Sequence, residues 1–184
     1  MEIELEKTYL LKYFPEGIKE NKSIEIFDIY IPKSADHSIL RIRQRGESFE
    51  MTKKEPLRGN DSSEQQEHTI KLSKEEFSEL AVVDGKKLHK MRYLHPYGEN
   101  TAEIDVYQDN FNGLVLVDIE FKTREQKEKF LMPEFCLAEI TQEKFCAAGW
   151  LAGKKYSDIE QFLNKYGYKK IIFDMENPFL KFQK

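Results

Sequence analysis

A chain of 184 residues that is 40% hydrophobic, 34% charged and 12% aromatic is large enough to bury a core and too aromatic for disorder on that scale. Its formal net charge of -4 argues against a general nucleic-acid binder, which carries a basic excess, so no nucleic-acid partner is expected. Cys136 and Cys146 have no CxxC spacing, which suggests neither a disulfide framework nor a zinc site, and the thiols are read as reduced and buried. No stretch approaches the roughly 18 apolar residues of a membrane span, and the acidic N-terminus is unlike a signal peptide; no membrane partner is expected, and a cytoplasmic location follows as the default.

The chain begins "EIELEKTYLL", in which Glu2, Glu4 and Glu6 alternate with Ile3 and Leu5, so an extended strand puts the carboxylates on one face. Seven more segments alternate in the same way: 23–31, 39–45, 49–54, 67–72, 87–94, 102–107 and 115–122. Gly46, Glu47 and Ser48 make a hairpin turn between the third and fourth strands, and "NFNG" at 110–113 makes another between the seventh and eighth. "LRGNDSSEQQ" is a polar loop. Helices fall between and after the strands: Ser73 with Glu76 and Thr123 with Gln126 are capping signals, Ser157 with Glu160 opens a helix closed by Gly167, and Thr141 is placed to cap "QEKFCAAGWLA".

Written strand by strand, the polar faces carry almost one sign each. The acidic ones are Glu2, Glu4 and Glu6; Glu103 and Asp105; Asp118 and Glu120. The basic ones are Arg41, Arg43 and Arg45; Lys54 beside Thr52; Lys90 and Arg92, while Glu67, Thr69 and Lys71 form a mixed face. A solvated sheet face mixes its charges and sets opposite signs side by side. Like charges segregated within strands cost energy unless something binds between them, which points to an inverted barrel: an α+β fold with eight antiparallel strands closed into a tunnel, charges lining the interior and helices covering an apolar outside. Guanidinium and ammonium groups converging in a cavity suit phosphate, and clustered carboxylates suit a hard divalent cation. Together they imply a metal–phosphate complex. The histidines draw a plainer reading, with His68 and His89 on apolar faces as packing residues, and Trp150 is read as helix core.

These motifs resemble those of the CYTH-domain proteins, the triphosphate tunnel metalloenzymes, whose first tunnel strand carries E-x-E-x-K. The matching residues are Glu4 and Glu6 in "ELEKTYLL", Arg41 and Arg43 in "LRIRQR", Thr52 and Lys54 in "MTKK", Glu67 in "QQEHTI", Lys90 and Arg92 in "KMR", Glu103 and Asp105 in "EID", Asp118 and Glu120 in "DIE", and "AEIT" at 138–141. Counting from Glu4, the motif's lysine falls on Thr8; the usual E-x-E of the fifth strand reads Glu67-His68-Thr69, and an arginine common before it appears as Gln65. The resemblance implies a tunnel domain over 1–152 with a C-terminal helix and tail, 153–184, packed on it. It also implies hydrolysis of an inorganic or organic triphosphate. Arg41, Arg43, Lys54, Lys90 and Arg92 would bind the phosphate chain, and Glu6, Arg41, Lys54 and Lys90 would be the catalytic set. Glu4, Glu6, Glu67, Glu103, Asp105, Asp118 and Glu120 would supply ligands for Mg2+ or Mn2+. A non-catalytic polyphosphate-binding module is the alternative. An adenylyl cyclase of the same fold ranks lower, since the His-Phe that resembling cyclases carry ahead of the acidic motif has no room before Met1. A homodimer is a possible assembly, and "IIFDMENPFLKF" at 171–182 is apolar enough to dock on the barrel or a second subunit, or to cap a tunnel mouth.

Overall fold

A computed structural model of the chain describes residues 2–59 and 61–173. Nine strands make one sheet: β1 (Glu2–Leu11), β2 (Ser23–Ile31), β3 (Leu40–Arg45), β4 (Ser48–Pro56), β5 (Glu64–Leu72), β6 (Lys86–Tyr97), β7 (Asn100–Tyr107), β8 (Val115–Glu120) and β9 (Cys136–Glu139). Their order is β5-β4-β3-β2-β6-β7-β8-β1-β9, and a further pairing of β5 with β1 closes the first eight into an antiparallel barrel. β1 makes this possible by serving two partners along one edge: Glu2–Leu5 pair with β5, whereas Tyr9–Leu11 pair with β9. The other edge pairs Glu6–Leu10 with β8. Gly46, at the β3–β4 turn, has φ 57°, a left-handed conformation that costs a side chain dearly and glycine nothing.

The helices α1 (Lys74–Leu80), α2 (Arg124–Lys129), α3 (Ala148–Leu151) and α4 (Tyr156–Lys165) lie outside the barrel. α1 begins with the expected capping box, Ser73 Oγ accepting from Glu76 N and Glu76 accepting from Ser73 N. At α2, Thr123 caps through Gln126 N. α4 starts earlier than Ser157: its first turn is closed by Lys155 N donating to Asp158 Oδ2 at 3.0 Å. Thr141 caps no helix. The 142–152 segment breaks into a 3-10 turn at Lys144–Cys146 and the short α3, and Thr141 Oγ1 instead accepts from Thr8 N at 3.1 Å. β5 begins at Glu64 and β6 runs on to Tyr97, both beyond the expected bounds, and β9 was not foreseen.

Two apolar clusters hold the barrel. One covers the outside of β1, β6, β7 and β8: Leu5, Tyr9, Tyr93, Ile104, Val117 and Ile119 meet Ile18, Phe121 and Phe135. The other lies at one end, where the inward faces turn apolar at Leu10, Tyr30, Leu88, Tyr107 and Leu116 and pack against Phe145, Leu151, Ile159 and Leu163 of the helical segment. The apolar outside is not wholly covered, contrary to the sequence expectation: Ile70 on β5 is 63% exposed and Ile3 on β1 is 46% exposed. Both cysteines are buried and free. His89 stacks on Phe27 at 4.0 Å, a packing role as its face predicts. Of the C-terminal tail, Ile171 N donates to Gly113 O and Phe173 rests on Phe14 and Tyr93; residues 174–184 lie outside the described residues. No described helix is long and apolar enough to cross a membrane.

Candidate active site

Because successive strand residues point to opposite sides, each alternating stripe enters the lumen as a unit. A cavity of about 290 Å³ runs through it, lined by Glu4, Glu6, Arg41, Arg43, Arg45, Lys54, Glu67, Lys90, Arg92, Glu103, Asp118 and Glu120, with Thr8, Tyr30, Glu50 and Gln65 between them. All the sequence-predicted site residues except Asp105 therefore meet around one space.

The acids do not share one environment. Carboxylate oxygens of Glu4, Glu6 and Glu120 all lie within 4.8 Å of one another, a spacing that one cation can span. Burial, then the Asp118 and Glu4 charges, pushes the Glu6 carboxyl well above its ordinary range. Burial and the Glu4 charge raise Glu120 as well. The trio thus holds more negative charge than the surrounding protein neutralises, and all its donors are oxygens, which fits a hard divalent cation. Asp118 stands beside it, accepting from Thr8 Oγ1 at 2.8 Å and approached by Arg92 Nη2 at 3.4 Å. Glu67 accepts from Thr69 Oγ1 at 2.7 Å and pairs with Lys54 at 3.1 Å; Lys54 also holds Glu4. Glu103 contacts Arg92 and lies 3.7 Å from Arg45.

Asp105 has a different position from the one a metal ligand needs. It is 0% exposed and off the cavity wall, and its two oxygens are taken by Arg92 Nε and Nη2, both at 2.7 Å, and by Lys90. Burial alone would raise its carboxyl, but Arg92 and Lys90 outweigh that and hold it far below the usual range. Lys90, 3% exposed, is pushed down to about 8 by burial, with Asp105 opposing.

Sequence reading missed Asp28. It lies directly across from Arg43 in the β2–β3 register and binds it bidentately, Nε to Oδ1 at 2.6 Å and Nη2 to Oδ2 at 2.8 Å. Burial would raise the Asp28 carboxyl; Arg43 prevails and keeps it at about 2. Its neighbours on the inward face, Ile24, Ile26 and Tyr30, break the polar stripe that would have marked it. Arg41 is the contrasting cation. No carboxylate pairs with it among the described residues; Nη1 donates to Tyr30 Oη at 3.3 Å, and the buried Nε has no acceptor. The wall beside it is built by His37, Ser38 and Ile39 against Ala147, Ala148 and Gly149, with Lys86 Nζ tying the two segments by donating to Ala35 O, Asp36 O and Gly149 O.

The CYTH domain family model matches residues 3–144, most of the barrel. The chain belongs to the CYTH domain family. This CYTH chain is 27% identical over 143 residues to an inorganic triphosphatase of Nitrosomonas europaea, a match covering 77% of the chain and 91% of that protein. A crystal structure of an inorganic triphosphatase superposes with a TM-score of 0.60 at 25% identity, covering 84% of the CYTH chain and 97% of its own. A proposed adenylate cyclase from Bacillus halodurans shares the fold at 13% identity, with a TM-score of 0.52 and coverage of 94% of each chain.

Proposed function

We propose that this CYTH protein hydrolyses a triphosphate, inorganic triphosphate being the simplest candidate, with Mg2+ or Mn2+. The observation that carries the reading is the pairing, in one lumen, of a carboxylate trio that Lys54 only partly neutralises, through Glu4, with an arginine that has no carboxylate partner among the described residues: Glu4, Glu6 and Glu120 on one side, Arg41 on the other. A divalent cation bridged to a phosphate chain supplies what each lacks. The Nitrosomonas europaea relative supports the same substrate class.

Glu4, Glu6 and Glu120 would hold the cation, which supplies Lewis-acid stabilisation of charge on the phosphoryl oxygens. Asp118, hydrogen-bonded to Thr8, is placed to orient water or a further cation. Arg41, Arg43, Lys54 and Arg92 face the phosphate chain. In phosphoryl transfer the protein chiefly positions the chain and offsets charge at the transferring group, and a pre-formed cationic wall does both at small reorganisation cost. Lys90, lowered to about 8 by burial and still carrying its proton at neutral pH, can give that proton to the departing phosphate oxygen. Asp105 takes the role of counter-ion to Lys90 and Arg92 in place of metal ligand, and Glu67 and Glu103 act chiefly through Lys54 and Arg92.

The test is release of orthophosphate from inorganic triphosphate, ATP and thiamine triphosphate, each with magnesium, with manganese and with EDTA. Turnover that needs the metal and falls by roughly a hundredfold or more in Arg41→Met is the expected result. Tight binding of triphosphate with no release would instead assign a binding module.

A further inference from the structure

Two arginines of the lumen are held by the same device. Asp28 faces Arg43 across β2 and β3, and Asp105 faces Arg92 across β7 and β6, each as direct cross-strand partners. In both pairs the aspartate engages Nε and Nη2 and leaves Nη1 out of the fork. The Arg92 device is loaded further, since Lys90 shares Asp105 and Glu103 takes Nη1. The Arg43 device is not: among the described residues the one carboxylate near its Nη1 is Glu50, at 3.9 Å, beyond hydrogen-bond reach.

A buried ion pair is poor value as a source of stability, because taking both charges out of water costs about what their attraction returns. Leu or Met at both positions would fill the same wall. What the pair does supply is a guanidinium fixed in plane and direction, at a place where Arg43 lines the cavity. The aspartate is short and sits directly opposite, so the fork cannot swing without losing both bonds.

We propose that Asp28 is a positioning residue: it fixes Nε and Nη2 of Arg43 so that Nη1 is the group offered to a phosphoryl oxygen of the substrate. The proposal rests on the triphosphate reading above. It assigns Asp28 no contact with the substrate, and its effect passes wholly through Arg43.

The experiment is a double-mutant cycle of Asp28→Asn and Arg43→Lys, read as KM and kcat for inorganic triphosphate with magnesium, beside 15N spectra of the arginine side chains. Expected are a KM raised about tenfold or more in D28N, as for loss of one hydrogen bond to a charged group, a similar rise in R43K, and a double variant no worse than R43K. The slowly exchanging Arg43 Nε–H signal of the wild type is lost in D28N. Asp28→Glu keeps the buried charge pair, and with it the fold, but shifts the fork by one methylene; it should melt like wild type with a raised KM. Losses that multiply in the double variant, an unchanged KM in D28N and D28E, or an Arg43 signal that persists in D28N overturn the positioning role. A wild-type chain that releases no phosphate overturns the triphosphate reading instead. In that case the positioning role stands if added triphosphate shifts the Arg43 signal in wild type and not in D28N, and falls if it shifts neither.

Discussion

Glu6→Gln should stabilise the metal-free protein and abolish its stabilisation by metal. With oxygens of Glu4, Glu6 and Glu120 no more than 4.8 Å apart, two full charges at that distance repel by about 3 kcal/mol at an effective dielectric constant near 20. Glu6 faces two such neighbours. Lys54, which holds Glu4, and Arg92 offset much of this, leaving a net gain on neutralising Glu6 of about 1–2 kcal/mol. For a chain of this length that is a rise in melting temperature of roughly 2–8 °C. The wild type should in turn gain about 2.7 kcal/mol from a metal present at a hundred times its dissociation constant, and the Gln variant, one carboxylate short, far less. Calorimetric melts at pH 8 in EDTA and in excess Mn2+ measure both effects. A Glu6→Gln protein that melts below wild type in EDTA, or that keeps the full metal-dependent rise, would refute the assignment of the trio as a cation site.

Gly149→Ala should cost several kcal/mol and disturb the cavity wall, since an added Cβ would stand 2.0 Å from Ser38 O; urea unfolding and the KM for triphosphate would both register it. Tyr168→Phe removes the hydroxyl that accepts from Val115 N at 2.8 Å and donates to Gly113 O at 3.0 Å; Gly113 O keeps Ile171 N, but Val115 N is left without its acceptor, at a cost of about 1–3 kcal/mol by chemical denaturation. Asp28 has its folded carboxyl at about 2 against an ordinary 3.8, so its contribution of about 2–3 kcal/mol is present above pH 4 and lost as pH falls toward 2. Denaturation curves between pH 5 and 2 should be correspondingly less steep in pH for Asp28→Asn, and equal slopes would count against the pair.

The charged stripes were legible because strand periodicity is strict: once Glu4 and Glu6 face the lumen, the register with β8 brings Glu120 opposite Glu6 without further information. What alternation does not encode is position along the barrel axis. The same inward faces that carry Thr8, Asp118, Lys90 and Asp105 continue into Leu10, Leu116, Leu88 and Tyr107, and only the helical segment packed there explains the change. Asp28 escaped notice because an isolated acid among isoleucines has no stripe to belong to. Its meaning comes from the residue across the strand pair. The 142–152 segment has helical composition, but Gly149 must come close to the Ser38 carbonyl, and that tertiary demand splits it into two short turns. β9, only Cys136–Glu139, is too brief for its alternation to stand out.

The junction of β1 with β5 is the weakest joint of the barrel wall. Only Glu2–Leu5 are paired there before β1 passes to β9, and Ile3 and Ile70 leave its outer side uncovered. Across that gap Lys54, from β4, reaches both Glu4 on β1 and Glu67 on β5. Amide protons along this short ladder should therefore trade with deuterium ahead of the other barrel strands, and a cation seated on Glu4 would quiet that exchange from within, making occupancy of the lumen and closure of its wall a single event.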